Sequence, residues 1–282
     1  MRSEAPSALI LGGTGRTGSR LAGKLARRGI ATRTASRRGA GVRFDWDDPA
    51  THAGALAGVD RLYLVTPVLR VRYAKQVAAF LDLAETAGVR HVTFLSTYNA
   101  DQAPQGIDIA AVEAGLAARQ AITHSVLRPA WVMQNFTDDH IPVIDGVITV
   151  PSGGGAEAFV DADDIAAVAA ETLLNPRAHA GARYSLTGPQ ALTFREVAGI
   201  IATAAGRPVF YSDIDQETWI NGALAAGVPA GYAVMLRWLT GAIIAGNGSV
   251  PAGDVERVTG RKPATFGEFA GRNTRAWTRA GK

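Results

Sequence analysis

The chain has no cysteine, which excludes disulfide bonds, cysteine nucleophiles, thiolate zinc sites and iron–sulfur clusters. The five histidines do not have the spacing of a metal site, so we expect no metal. No apolar run reaches the ~18 residues of a membrane span, and we therefore expect no membrane partner. These absences together favour a cytoplasmic protein.

Lysine is scarce, because only Lys24, Lys75, Lys262 and Lys282 are lysines among the 29 basic residues. The formal charge is +4, and the basic residues are spread thinly along the chain. A nucleic-acid interface usually presents a contiguous basic stripe, so we expect no nucleic-acid partner. The long stretch without lysine, from Lys75 to Lys262, also limits which catalytic pairs the chain can form.

Hydrophobic residues make up 47% of the 282 residues, which is enough for a substantial core. Short apolar runs alternate with amphipathic segments through the first 130 residues. This alternation predicts βαβ units, an α/β fold with a doubly wound parallel sheet, and right-handed crossovers. The predicted strands are 7–12, 30–36, 42–44, 61–66, 91–96 and 123–127, and the predicted helices are 18–28, 71–87 and 108–119.

The pattern changes after Pro129. We predict a helix over 161–174, a strand over 184–187 and a further helix that begins at a capping box formed by Thr193 and Glu196. Residues beyond about 205 are expected to be helical and irregular. We therefore expect residues 1–130 to form a Rossmann-type core, while residues 131–282 contribute to that core and form a smaller C-terminal substrate-binding lobe.

A glycine-rich turn, GGTGRTG, joins the first predicted strand to the first predicted helix. Its glycines have the spacing G-x-x-G-x-x-G. Glycine lets the backbone approach a pyrophosphate closely, and the helix N-terminus offers N–H groups and the positive end of a dipole. We therefore predict a dinucleotide-binding loop that contains Gly12, Thr14, Gly15, Arg16, Thr17 and Gly18.

The end of the second predicted strand indicates which dinucleotide binds. NAD-binding proteins usually have an acidic residue there for the ribose 2′-hydroxyl, whereas this chain has Ser36, Arg37 and Arg38. Two guanidinium groups suit a 2′-phosphate, and Arg16 lies in the adjacent loop. We therefore expect NADP(H) rather than NAD(H), with an ordinary solvated surface as the alternative for the arginines.

Ligands of open parallel sheets bind beyond the carboxyl ends of the strands. This rule assigns further cofactor contacts to Asp45, Trp46, Thr66, Pro67, Val68, Ser96, Thr97 and Pro129. For Asp45 and Trp46 the alternative is an acidic turn with a packed indole. The candidates for substrate contacts are Tyr98, Trp131, Asn135, Phe136 and His140, of which Trp131 and Phe136 are equally suited to the core.

The catalytic pair Tyr-x-x-x-Lys of short-chain dehydrogenases is missing. In that pair the lysine lowers the pKa of the tyrosine, which then acts as the acid. None of the six tyrosines has a lysine four residues later. Ser96 and Tyr98 are the remaining catalytic candidates, and stacking on the cofactor is the alternative for Tyr98. Either the reaction needs no strong proton donor, as with an iminium substrate, or the protein does not catalyse.

Several segments resemble the NmrA-like branch of atypical short-chain dehydrogenases. They are LILGGTGRTGSRLA (9–22), ASRR (35–38), FDWDDP (44–49), LYLVTP (62–67), HVTFLS (91–96), LRPAWVMQNF (127–136), DADDIAAVAA (161–170), YSLTGPQALTFREVA (184–198) and VTGRKPATFGEFA (258–270). Within the branch, the chain resembles the reductases of ergot-alkaloid biosynthesis, of the festuclavine or agroclavine dehydrogenase type. The resemblance implies a Rossmann domain, an NADP(H) site and a small substrate lobe. The family usually has His or Lys in the helix after Ser96, and this chain departs from that pattern with GIDIAAVEAGL.

Residues and resemblance together predict an NADPH-dependent reductase that transfers hydride to a small organic acceptor, with an imine or iminium C=N as the favoured group. Two alternatives stay open. One is an NADP(H)-sensing regulatory protein of the same fold. The other is a quinone or carbonyl reductase, or an epimerase, that uses Tyr98 or Ser96. The expected partner is a small-molecule substrate, and a homodimer is left open.

Overall fold

The structure, a computed structural model, describes residues 7–39, 41–138 and 140–278. Strands β1 to β11 are Ser7–Leu11, Ala31–Ser36, Val42–Arg43, Arg61–Leu64, His91–Leu95, Thr123–Pro129, Val147–Thr149, Ala156–Glu157, Arg183–Leu186, Leu192–Thr193 and Phe210–Ser212. Helices α1 to α11 are Arg16–Arg27, Ala50–Leu56, Ala74–Thr86, Ile109–Ala117, Ala162–Leu174, Phe194–Ala205, Gln216–Ala225, Ala233–Ile244, Asp254–Thr259, Phe266–Arg272 and Arg275–Thr278. Short 3-10 helices lie at Ala100–Gln102, Met133–Phe136 and Ala230–Tyr232.

The chain divides into two compact units. The first contains the described residues up to Arg128 together with Ala162–Ser185, and the second contains Pro129–Asp161 together with the described residues from Leu186 onward. Each unit is therefore assembled from two separate stretches of the chain.

The first unit is built on a sheet of order β3-β2-β1-β4-β5-β6-β9. Strand β1 lies between β2 and β4, and both pairings are parallel; Leu9, for example, is opposite Arg33 on one side and Leu62 on the other. The chain order reverses at β1, as in doubly wound nucleotide-binding sheets. The apolar side chains of β1 and β4 are buried, and so are Val92 and Phe94 of β5, as expected when helices cover both faces. The predicted α/β fold of Rossmann type is thereby confirmed.

The helices of the first unit bury the apolar stripes that the sequence predicts. Leu21 and Leu25 of α1 are fully buried, and so are Phe80 and Leu81 of α3. On the polar side of α1, Arg20 forms an ion pair with Asp163 of α5 at 3.2 Å. The helix α2 was not predicted, because its short sequence ATHAGAL carries only a weak apolar stripe.

The second unit has its own aromatic core. Phe136, Phe159, Phe194 and Phe266 are fully buried, with neighbouring ring centroids 5.3–6.0 Å apart. The predicted capping box at the start of α6 is present, and a second box, of Thr265 and Glu268, begins α10. Two small sheets were not predicted: β7 pairs with β11 in parallel, and β8 pairs with β10 in antiparallel orientation. No helix in the described ranges is long and apolar enough to cross a bilayer.

Candidate functional site

The glycine loop connects β1 to α1 in a conformation that requires glycine. Gly12 has a φ of +63°, and its carbonyl accepts a hydrogen bond from the N–H of Gly15 at 2.8 Å. A Cβ atom on Gly18 would lie 2.3 Å from the Gly12 carbonyl oxygen, so only glycine permits this close turn. Thr14 and Gly15 are exposed on the outer side of the loop, and Arg16 and Thr17 are half-buried.

The first turn of α1 suits an anion. No side chain caps this helix terminus, and the first turn contains no acidic residue. Because no side chain occupies this terminus, the positive end of the helix dipole faces the position of an external group. A loop and helix start of this kind suit a pyrophosphate. Its contact with Gly12, Thr14, Gly15, Arg16, Thr17 and Gly18 stays a prediction.

The arginines after β2 suit the 2′-phosphate of NADP(H). Arg37 and Arg38 are exposed, and neither forms an ion pair with another described residue. The hydroxyl of Ser36 donates to the carbonyl of Arg38, which shapes this turn. Two exposed guanidinium groups at the end of β2, with no carboxylate among these three residues, fit a phosphate better than a free ribose hydroxyl.

The turn after β3 is a packed aromatic cluster. The half-buried Trp46 lies edge-on to Phe44 and Phe80, at centroid distances of 5.1 and 5.3 Å. The carbonyl of Asp45 lies 2.9 Å from Nε2 of His52. The packed indole is therefore present, and the contact of Asp45 and Trp46 with adenine stays a prediction.

The loop after β4 reaches across to this turn. Pro67 is buried, Thr66 is half-buried and Val68 is 78% exposed. Leu69, with a φ of +58°, turns the chain so that Arg70 forms a two-pronged ion pair with Asp47. Arg70 and Arg37 both lower the pKa of the Asp47 carboxyl, chiefly through the hydrogen bond from Arg70.

The residues after β5 contain a carboxylate that the sequence analysis missed. Ser96 is buried and its hydroxyl donates to Oε1 of Glu113, in α4, at 2.6 Å. Arg128 of β6 binds the same carboxylate through Nε at 3.0 Å and a terminal nitrogen at 2.6 Å, and its other terminal nitrogen binds Asp101. Glu113 and Asp101 raise the pKa of the Arg128 guanidinium.

This hydrogen-bond network determines whether the Ser96 hydroxyl can donate to a substrate. Its proton is directed at Glu113, so the hydroxyl is held in place rather than free to donate to a substrate. Thr97 and Tyr98 follow on the same loop and are half-buried. The signal that could have identified Glu113 is the single carboxylate within the otherwise small and apolar run IAAVEAGLA.

The proposed substrate residues of the second unit differ in accessibility. Phe136 is 2% exposed and lies in the aromatic core, and its carbonyl accepts a hydrogen bond from Nε1 of Trp277 at 2.9 Å. For Phe136 the packing role is therefore the one that the geometry favours. Trp131 and Asn135 are half-buried, and Pro129, at the end of β6, is buried. His140 is exposed, with Nδ1 2.9 Å from the carbonyl of Asp138.

Sequence comparisons identify relatives along nearly the whole chain. An uncharacterized oxidoreductase of Bacillus subtilis, YesF, is 37% identical, over 96% of each chain. An NAD(P)H azoreductase of Xenophilus azovorans is 32% identical, over 93% of this chain and 96% of its own. Festuclavine synthase II of Penicillium roqueforti is 30% identical, over 95% and 99%. The resemblance to the ergot-alkaloid reductases is thus confirmed.

Solved structures have the same fold. The triphenylmethane reductase of Citrobacter sp., in complex with NADP(H), matches with a TM-score of 0.72 at 22% identity, over 95% of this chain and 99% of that one. The sequence profile of the NmrA-like family matches residues 6–239, which is most of the chain. This protein therefore belongs to the NmrA-like family.

Proposed function

We propose that this protein is an NADPH-dependent reductase that transfers hydride to the carbon of a cationic C=N group, an iminium. At the coarser level it is an NAD(P)H-dependent oxidoreductase of the NmrA-like family. The finer proposal rests on the Tyr-x-x-x-Lys acid that the sequence lacks, since Tyr98 has Gln102, not lysine, four residues later. The hydroxyl of Ser96, after β5, already donates a hydrogen bond to Glu113.

An iminium acceptor can be reduced without a catalytic acid. When bound, NADPH supplies a hydride, that is, one hydrogen with two electrons. Addition of hydride to the iminium carbon converts the C=N double bond to a C–N single bond and leaves a neutral amine, so no proton is required. A ketone would instead become an alkoxide, which requires a proton from a nearby acid.

The remaining chemistry is binding and orientation. The loop from Gly12 to Gly18 and the start of α1 hold the pyrophosphate, while Arg37 and Arg38 hold the 2′-phosphate. Glu113 fixes Ser96, and Trp131 offers an indole to the substrate. In this proposal residues 1–130 supply the Rossmann-type cofactor core, and the smaller lobe contributes the substrate contacts.

The names of the relatives support an acceptor of this kind. Festuclavine synthase belongs to the ergot-alkaloid reductases that the sequence resembles, and triphenylmethane dyes are delocalised cations whose charge rests on nitrogen. We place the protein in the cytoplasm, with a small molecule as its partner.

The test is the rate of NADPH consumption with matched acceptors, followed by the loss of NADPH absorbance. N-methyl-dihydroisoquinolinium is a permanent iminium, tetralone is a neutral ketone of similar ring size, and menadione is a quinone. We expect the iminium to be reduced at least ~10 times faster than tetralone, since only the ketone requires an acid. Equal rates for both would overturn the proposal, and preferential reduction of menadione would support the quinone reductase instead. Cofactor binding without oxidation by any of the three would favour the sensor.

A further inference from the structure

The second unit contains a buried carboxylate, that of Glu157, with which no cation in the described part of the chain pairs. Glu157, in β8, is 3% exposed, and its strand pairs with β10 opposite Leu192. Its carboxyl group accepts a hydrogen bond from the backbone N–H of Trp131. Burial raises the pKa of Glu157 to about 7, and no charged group of the described residues offsets this.

Asp161, which precedes α5 in the sequence, is a deeply buried acid with different surroundings. Asp161 is 1% exposed and is bound by Arg272 at 2.7 Å and by the amide of Gln134 at 2.8 Å. An uncompensated buried carboxylate is costly, and proteins normally pair it or replace it with an apolar residue. Glu157 departs from this rule, and such departures occur preferentially at functional sites.

The backbone leaves room for the carboxyl group of Glu157. Gly248 is buried beside it, and a Cβ atom there would lie 2.0 and 2.2 Å from its two oxygens. The carbonyl of Gly248 accepts a hydrogen bond from the N–H of Ala158 at 2.9 Å, which fixes the glycine against β8. The carboxyl group is thus held in one place between a glycine backbone and the N–H of Trp131.

Trp131 adds a second feature that suits a cation. Its indole is half-buried and lies edge-on to Phe194 at a centroid distance of 6.5 Å. The backbone N–H of Trp131 binds the carboxyl group of Glu157, and the face of an indole ring in general attracts a cation. A neutral quinone or ketone would gain nothing from the carboxylate.

We propose that Glu157 and Trp131 form a subsite for the positively charged nitrogen of the substrate, with Glu157 as the residue that selects cations over neutral acceptors. This inference rests on the proposed function, because the positive charge that the second unit would bind is that of the iminium substrate. The substrate then supplies the cationic partner that none of the described residues provides.

The experiment separates binding from reduction. Benzyltrimethylammonium is a permanent cation that hydride cannot reduce, and neopentylbenzene is its neutral isostere, with carbon in place of nitrogen. Binding of each to the full chain is followed by tryptophan fluorescence in the absence of NADPH. We expect the wild-type protein to bind the cation at least ~10 times more tightly than the isostere.

The variant Glu157→Gln retains the shape of the side chain and removes its charge. It should lose the preference for the cation, with binding of neopentylbenzene unchanged. Glu196→Gln, which removes an exposed charge from the same unit, is the matched control and should behave as the wild type. With the iminium substrate, Glu157→Gln should raise KM by about tenfold without lowering kcat, because the positive charge that Glu157 binds is lost as hydride adds to the carbon.

A second variant covers the case in which Glu157→Gln does not fold. Gly248→Ala leaves the charge in the protein but displaces the carboxyl group, which is the flexible end of its side chain. It should also lose the preference for the cation. Equal binding of cation and isostere by the wild type, or an unchanged preference in both variants, would overturn the subsite even if iminium reduction is observed. If the two variants lose the preference for the cation but the wild type reduces no iminium, the result would support the subsite and refute the proposed function.

Discussion

Replacement of Glu113 by alanine tests the network around Ser96. The carboxylate is 5% exposed and receives one hydrogen bond from Ser96 and two from Arg128. Breaking a buried charged pair costs ~3–5 kcal/mol, because the remaining partner stays desolvated. Arg128 is 18% exposed and retains its ion pair with Asp101, so we expect a cost at the lower end of this range. We expect the free energy of unfolding to fall by about 3 kcal/mol.

Urea denaturation measures this loss as a shift of the midpoint. An unchanged slope m shows that wild type and variant expose the same surface on unfolding. The control is Glu217→Ala, which breaks an exposed pair with Arg237 and should leave the midpoint almost unchanged. Glu113→Gln should lie between the two, since an amide still accepts one hydrogen bond. A loss below ~1 kcal/mol for Glu113→Ala, at unchanged m, would refute the burial argument.

Four further predictions concern the cofactor site, the acid and the sheet. Replacing Arg37 and Arg38 by alanine should weaken NADPH binding at least ~10-fold and spare NADH, as measured by tryptophan-fluorescence titration. Tyr98→Phe should change kcat for an iminium by less than ~3-fold, against the ~10²-fold typical of a lost general acid. Gly18→Ala should abolish NADPH binding in the same titration, because its Cβ would collide with the Gly12 carbonyl. Burial lowers the pKa of His91 to about 4, below the unfolded value of 6.5. The unfolded chain therefore binds the proton first, and the stability present above pH 6.5 should decline towards pH 4 in urea titrations.

The predictions for the two arginines, for Tyr98 and for His91 each have a control or an outcome that contradicts them. Arg257→Ala removes an arginine from α9 and should not affect cofactor binding. A double variant at Arg37 and Arg38 that also loses NADH would contradict a role confined to the 2′-phosphate. A hundredfold loss of kcat in Tyr98→Phe would restore Tyr98 as the acid. If His91→Gln shows the same decline with pH as the wild type, the decline comes from other groups.

The sequence predicted those features that depend on neighbouring residues. The glycine loop, the stripe of α3 and the capping box of Thr193 and Glu196 each follow from local spacing. The pairing of β7 with β11 joins Val147 to Phe210, and two three-residue strands so far apart in the chain carry no local signal.

Some residues of the candidate site could also be recognised in the sequence, and others could not. The arginines at the end of β2 were recognisable because their position in the strand order is fixed by the fold. Glu113 and Glu157 were not, since an acidic residue has the same appearance in a sequence whether it faces solvent or a buried serine. From the sequence, Phe136 was equally suited to a role in the core and to substrate contact. Its enclosure by other phenylalanine rings favours the role in the core.

The uncapped start of α1 has a consequence for the lifetime of the protein. A ligand that binds only the folded state stabilises it, by about 2.7 kcal/mol when its concentration is a hundred times Kd. Since no side chain caps the start of α1 and neither Arg37 nor Arg38 forms an ion pair with another described residue, a bound cofactor would add interactions to the folded state. Proteases act on locally opened chains, so we expect degradation to slow as NADPH accumulates. The abundance of this reductase would then follow the supply of its own reductant.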